Sequence, residues 1–303
     1  MSSKVQYLAK KGLIRPPDWM PTNVHYEAVM GSMAYGVSGD DSDMDVYGFA
    51  IPPKLMVFPH LAGEIDGFSI KGPRFEVWQQ HHVKDDDALG GRGREYDFQM
   101  FSIVKWFKLA MDNNPNMVDA LFVPSNCLLH CTAVGQMVRD RRKLFLHKGS
   151  YHRFRGYAHA QLHKMRGDKK QPEGKRKEIV DRFGYDVKFA YHIVRLLDES
   201  EQILETGDLE LGRNREVLKE IRRGEWSEER IREYFASRET ALRELCDSSK
   251  LPHGPDEPAI RELLLNCLEE HYGDLSAAVV SQDRAVVALR ELAGVVDRYR
   301  DLI

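Results

Sequence analysis

Four cysteines in 303 residues, Cys127, Cys131, Cys246 and Cys267, are too few and too scattered for a disulfide framework. Cys127 and Cys131 flank His130, but no second pair of Cys or His at zinc spacing follows, so free buried thiols are expected. No stretch approaches the roughly 20 apolar residues of a membrane span. The opening MSSKVQYLAKKGLIRPPDW has no apolar centre of the kind a signal peptide needs. A cytoplasmic protein with no membrane partner is therefore expected. Walker loops, dinucleotide fingerprints, catalytic-triad patterns, internal repeats and low-complexity tracts are all missing, which removes the other common nucleotide folds and the repeat architectures.

What is present is ordinary globular material with an uneven charge. Apolar residues make up 42% and charged residues 30%, enough for a core and too balanced for long disorder. The net charge is −3, yet Arg139 to Arg182 carries fifteen Lys/Arg against five Asp/Glu, leaving 29 basic and 42 acidic residues elsewhere. Such a basic belt fits either a polyanion partner or the solvated faces of helices.

The length allows two domains of ordinary size, roughly 100–150 residues each. Residues 1–22, with Pro16, Pro17 and Pro21, read as an irregular leader. Strands are predicted over 22–30, 44–51 and 75–83, a charged glycine-rich loop over 84–94, and a short strand over 95–98 running into a helix that ends at Met111. The loop's Arg92 and Arg94 could reach a phosphate or belong to a plain hairpin. Asn113-Asn114-Pro115-Asn116 stops that helix and caps another over 117–122. From about residue 149 strand signals fade, and helices are predicted over 151–166, 182–204, 228–246, 258–271 and 285–302. The expected division is 1–148, mixing strands and helices, and 149–303, all helical.

The residues with most chemistry lie in Gly31–Gly48, GSMAYGVSGDDSDMDVYG. Asp43 and Asp45 are two apart at a strand, so both carboxylates project from one face. Paired carboxylates suit a hard divalent ion such as Mg2+, which completes its shell with water and phosphate oxygen. Gly31 lets the backbone approach a phosphate, and the Ser32 hydroxyl can donate to it. Each half alone is a common accident of polar loops.

A second pattern lies at 185–202. At 100° per residue, Tyr185, Lys188, His192, Arg195, Glu199 and Gln202 share a narrow polar stripe on an otherwise apolar helix. Lys, His and Arg there could contact a triphosphate, or could be the wet face of a core helix. A third stripe, His152, Arg155, His159, His163 and Arg166, has no carboxylate to complete a metal site. It suits a polyanion backbone or bare solvent.

Gly31-Ser32, a ten-residue gap, Asp43-Met44-Asp45 and the hydrophobic Val46-Tyr47-Gly48-Phe49 resemble the signature of the DNA polymerase beta nucleotidyltransferase superfamily. Asn114-Pro115-Asn116 with Ala120-Leu121-Phe122, then Gly184-Tyr185-Asp186-Val187-Lys188 with His192 and Arg195-Leu196-Leu197, is similar to the branch associated with RNA-repair operons in bacteria and phages. The resemblance runs from about Gly31 to Gly224. Asp119 stands three residues after Asn116, where that branch commonly carries an acid.

The resemblance implies an α+β fold, a polymerase-beta-like domain with a short mixed sheet followed by a helical C-terminal domain. It implies a third carboxylate on a later strand, and Asp97 stands where that is expected. Asp43, Asp45 and Asp97 would be the catalytic and metal residues, holding two Mg2+ ions. Gly31, Ser32, Lys188, His192 and Arg195 would hold a nucleoside triphosphate such as ATP, and pyrophosphate would leave. The implied acceptor is an RNA or tRNA 3′ end, docked on Arg155, His159, His163 and Arg166. A protein or small-molecule acceptor, or a nucleotide-binding regulator without turnover, are the other readings of the same residues.

Overall fold

In the computed structural model the described residues are 2–37, 43–62, 74–165, 175–273, 275 and 292. Strands β1 (Val24–Val29), β2 (Met44–Ala50), β3 (Val77–Asp85), β4 (Arg94–Ser102) and β5 (Leu128–Cys131) form one sheet in the order β3-β4-β2-β1-β5. The β2–β4 pair is parallel and the other pairs are antiparallel, so the sheet is short and mixed, as expected. Residues two apart on a strand share a face. Val46, Ala50, Tyr96, Phe98 and Met100 enter the core on one side, and Phe49 and Phe101 enter the core on the other.

Two boundaries differ from the sequence expectation. The leader is not irregular, because α1 (Lys4–Lys10) is capped by Ser3 and its first amides are tied to the sheet. Lys4 N and Val5 N donate to the buried Glu27 carboxylate of β1 at 2.6 and 2.9 Å. A carboxylate at a helix N-terminus satisfies donors that the helix itself cannot. Likewise β4 runs on to Ser102 instead of stopping at 98, because it is hydrogen-bonded by β2 and β3 on its two sides. Ser102 then accepts from Lys105 N at 3.1 Å and starts the next helix. β5 was not foreseen at all.

The short helices α2 (Lys54–Val57) and α3 (Ala88–Gly91) lie in the connections, and α4 (Ile103–Met111), α5 (Pro115–Phe122) and α6 (Ala133–Asp140) alternate with the last two strands. Then come α7 (Gly149–Met165), α8 (Lys175–Phe183), α9 (Val187–Thr206), α10 (Arg215–Arg222), α11 (Glu228–Ser248) and α12 (Glu257–Tyr272). The helix expected over 182–204 is two helices, broken where Gly184 takes φ +81° and Asp186 caps α9 through Lys188 N at 2.9 Å. Tyr185 therefore precedes the stripe. The helix expected over 285–302 lies outside the described residues. One buried cluster joins Tyr26, Trp106 and Phe154 to Ile193, Ile231 and Leu268, so the core is continuous across residue 149. Among the described residues no helix is long and apolar enough to cross a membrane.

At the seam between β1 and α12, His25 Nε2 and His271 Nδ1 are 2.9 Å apart, and His25 Nδ1 lies 2.8 Å from Thr132 Oγ1. Burial, then the neighbouring His271 and His130, push His25 down to about 4. The folded protein keeps this ring neutral, whereas the unfolded chain protonates it below about 6.5. Stability from this site is thus complete above pH 6.5 and is lost as pH falls toward 4, by about 3 kcal/mol in all. Urea unfolding at pH 7.5 and 4.5 checks this. The wild type is expected to lose more stability over that interval than His25→Asn by about that amount.

Candidate active site

β2 and β4 run parallel with Asp45 directly opposite Asp97. Both acids point to the face that also carries Tyr47, Phe49 and Phe101, and Asp43 stands exposed just ahead of β2. Parallel pairing sets this juxtaposition. A shift of one residue would send Asp97 to the opposite face.

The electrostatics agree with the geometry. Burial raises the Asp45 carboxyl above its ordinary value and the charge of Asp97 adds to this, while Lys188 opposes it, Asp43 adds again and His81 opposes. Two acids and two basic side chains from four separate chain segments thus act on one carboxyl. Lys188 is exposed in the first turn of α9, so the helix that carries it opens toward the acids. His192, half-buried, follows one turn later beside Tyr191.

Gly31 closes the other side. It takes φ +69°, and a Cβ built there would stand 2.6 Å from Asp45 Oδ2. Residues 31–37 fold as successive turns, with Val37 N donating to Ser32 O at 2.9 Å. Ser32 is half-buried within them. Asp40, Asp41, Ser38 and Ser42 lie outside the described residues.

Arg195 sits elsewhere than its stripe suggested. It is buried, ion-paired with Asp119 and, at 2.9 Å, with Glu199, and it donates to the Tyr35 hydroxyl at 2.8 Å. Tyr35 in turn donates to Asp119 at 2.6 Å. Burial works against the Arg195 charge, but Glu199, Tyr35 and Asp119 more than offset it; burial also drives Glu199 well above the usual carboxylate range. Arg195 therefore anchors, through Tyr35, the turn that begins at Gly31. It does not open on the acids.

The Arg155 stripe meets α11 along part of its length. Arg155 pairs with Glu239 of α11, and His159 packs on Phe235 of α11 with ring centroids 5.8 Å apart and on His163 at 4.8 Å. Tyr157, about 160° around α7 from both Arg155 and His159, is the residue that acts on Tyr47 together with Asp45 and Asp97. The stripe was read from spacing and charge alone, and α11 meets it at Arg155 and His159, both still open to solvent in part. Arg166 and the lysines at 169 and 170 lie outside the described residues. Elsewhere in the belt, Arg139 donates to Tyr26 Oη at 3.2 Å and to the Val123 carbonyl, and Lys143 pairs with Asp208 at 2.5 Å.

The structure adds two histidines that sequence reasoning passed over. β3 bulges between Gln80 and Val83, and His82 takes φ +56° there. The bulge aims His82 N at Asp97 Oδ1, at 2.7 Å, and leaves His81 Nδ1 3.6 Å from the same oxygen. His82 Nδ1 meets Glu95 Oε1 at 2.6 Å. A His-His pair in an alternating strand carries no sign that the ladder is broken at that point, so nothing in the pattern singles them out.

Among the described residues no three His, Cys, Asp or Glu side chains are arranged to hold a metal by themselves. The donor chemistry nonetheless fits a hard divalent ion that shares its shell with substrate. Such ions take one or two carboxylates and fill the rest with water and phosphate, and the mutual repulsion felt at Asp45 is what a dication would relieve.

No curated protein matches the chain. Among solved structures, a nucleotidyltransferase-like protein from Exiguobacterium sibiricum is similar at 10% identity, with 98% of this chain and 90% of that chain covered and a TM-score of 0.28, too distant to carry an argument. The model of the RNA repair pathway DNA polymerase beta family matches residues 13–263, in keeping with the α+β fold: the chain belongs to this family of nucleotidyltransferases.

Proposed function

We propose that the protein transfers a nucleoside monophosphate from a nucleoside triphosphate to a hydroxyl at the 3′ end of an RNA, a tRNA among the candidates. The acceptor oxygen forms a bond to the α-phosphorus, the bond from that phosphorus to the bridging oxygen of the β-phosphate breaks, and pyrophosphate leaves. The observation that carries this reading is the in-register pair Asp45 and Asp97 with Lys188 and Gly31 around it. Membership of an RNA repair family supports the choice of acceptor.

Asp43, Asp45 and Asp97 would hold Mg2+, whose bound charge neutralises the triphosphate and makes the attacking hydroxyl more acidic. The Gly31-Ser32 turn offers backbone and hydroxyl donors to the phosphates. Lys188 and His192 face them from the start of α9, where the helix dipole also favours an anion. Asp97 is the carboxylate that takes the acceptor proton, and the His82 amide holds its Oδ1 in place.

Gly31→Ala tests the turn. Its methyl group would occupy the space of Asp45 Oδ2 in a left-handed backbone, so transfer is expected to fall at least about tenfold and stability by about 1–2 kcal/mol. A rate at saturating nucleotide and a thermal melt read the two effects separately.

A second acceptor class, a protein side chain or a small molecule, is favoured by one observation: Arg139, Lys143 and Arg155 of the basic belt are engaged within the protein. Incubating the purified protein with α-labelled nucleoside triphosphates, Mg2+ and total RNA distinguishes the two. Label entering RNA, and blocked by prior periodate oxidation of the 3′ ends, is expected. Label entering only protein would remove the RNA acceptor and leave the chemistry. Nucleotide binding with no product from any acceptor would leave a regulator without turnover.

A further inference from the structure

The edge of α7 that carries Tyr157 also carries Arg153, which lines an open cavity. Tyr157 lies on that edge, 37% exposed, with its hydroxyl oxygen accepting from Asn114 Nδ2 at 2.9 Å. Asn114 is itself fixed, since its Oδ1 caps α5 through Asn116 N at 3.1 Å. The Tyr157 ring is thus tethered at its hydroxyl and open to solvent, and it acts on Tyr47, which lies two residues after Asp45 on the same face of β2. One turn back toward the start of α7, Arg153 is half exposed and 3.6 Å from Asp112 at the end of α4. There a cavity of about 490 Å³ opens, lined by Lys108, Asp112, His147, His152, Arg153 and Glu257. It shares Gly149 and His152 with a second cavity of about 280 Å³ that reaches Lys148 and His253.

This mixture of groups has a chemical meaning. An exposed aromatic ring takes a base by stacking, lysines and an arginine take backbone phosphates, and carboxylates accept from exocyclic amines. Cations alone suit a duplex backbone, whereas cations beside an exposed aromatic ring suit unpaired nucleotides. On the opposite edge of α7, Arg155 pairs with Glu239 and His159 packs on Phe235, both of α11.

We propose that the last unpaired nucleotides of the RNA acceptor lie along this groove, the 3′-terminal base stacked on Tyr157 and the preceding phosphates against Arg153 and Lys108. The proposal rests on the reading of RNA as acceptor and names the surface that receives it. The groove also gives the acceptor a direction, with its 3′ hydroxyl at the acids and its body leaving past α4 and the start of α7.

The test measures KM for a single-stranded RNA acceptor and KM for the nucleoside triphosphate in Tyr157→Leu, Tyr157→Phe and the double variant Lys108→Glu/Arg153→Glu. Tyr157→Leu and the double variant are expected to raise KM for RNA on the order of tenfold and leave KM for the triphosphate unchanged, and Tyr157→Phe to retain the wild-type value because the stacking face remains. Equal KM for RNA in wild type and double variant would overturn the groove while leaving RNA as acceptor. Wild type that labels no RNA would overturn both together. Photocrosslinking of wild type to RNA carrying 4-thiouridine near its 3′ end needs no variant. Crosslinks within 104–112 or 148–157 are expected, and crosslinks confined to α11 would overturn the groove.

Discussion

Replacing Asp45 by asparagine is expected to lower nucleotide transfer on the order of 10³-fold, the scale seen when one preorganised electrostatic group is removed from a reacting centre. The fold should survive it. Asp45 ionises against burial and against Asp97 and Asp43, so the neutral amide removes a repulsion that the folded protein otherwise tolerates. Thermal melting without metal should show Asp45→Asn at least as stable as wild type. Asp97→Asn should lose activity comparably, because the two acids face each other across β2 and β4 and work as a unit. A variant that is stable and inactive separates a role in chemistry from a role in folding. Activity within tenfold of wild type would remove Asp45 from the centre.

Arg195→Met should act in the opposite way, mainly on stability. Removing the cation leaves Asp119 and Glu199 buried without it and Tyr35 without one of its partners. Breaking a buried pair from one side costs about 3–5 kcal/mol, a fall in melting temperature of roughly 5–10 °C for a chain of this size. Arg195→Lys should not rescue it, since an ammonium lacks the planar fork that serves several acceptors at once. Arg195→Met/Glu199→Leu should recover part of the loss by removing one stranded carboxyl. At a temperature where Arg195→Met remains folded, its KM for nucleotide should rise, because Tyr35 would keep only its bond to Asp119 and hold the turn after Gly31 less firmly. Denaturant titration and steady-state kinetics on the same preparations check both halves. A loss under 1 kcal/mol would mean that the network is not the anchor described.

The contrast between these two residues shows what the sequence could and could not convey. Asp43 and Asp45 are legible because the face of a strand is a local property with period two. Asp97 could be named through the family resemblance, but its register against Asp45 depends on parallel pairing across fifty residues. Arg195 was placed on the correct edge of α9 by helical periodicity. Periodicity gives direction around a helix and says nothing of what packs against it. Tyr35 and Asp119 arrive from two other segments and turn a candidate phosphate ligand into a buried anchor.

The Arg155 stripe was read in the same way, without its neighbours. Its spacing is real, yet Arg155 pairs with Glu239 of α11 and His159 packs on Phe235 there, while Tyr157, on another edge, is the residue that acts on Tyr47. The bulge at His81 and His82 was not legible, since two strands of unequal local length must meet before one of them buckles. α1 was missed for want of Glu27, a buried acid on a strand whose partners are the amides of a helix some twenty residues earlier.

The most direct test of the acidic centre is electron paramagnetic resonance of Mn2+ titrated into the protein with a non-hydrolysable nucleoside triphosphate. The account predicts nucleotide-dependent Mn2+ binding in wild type, weakened at least about tenfold in both Asp45→Asn and Asp97→Asn. Equal Mn2+ binding in the three proteins would contradict it.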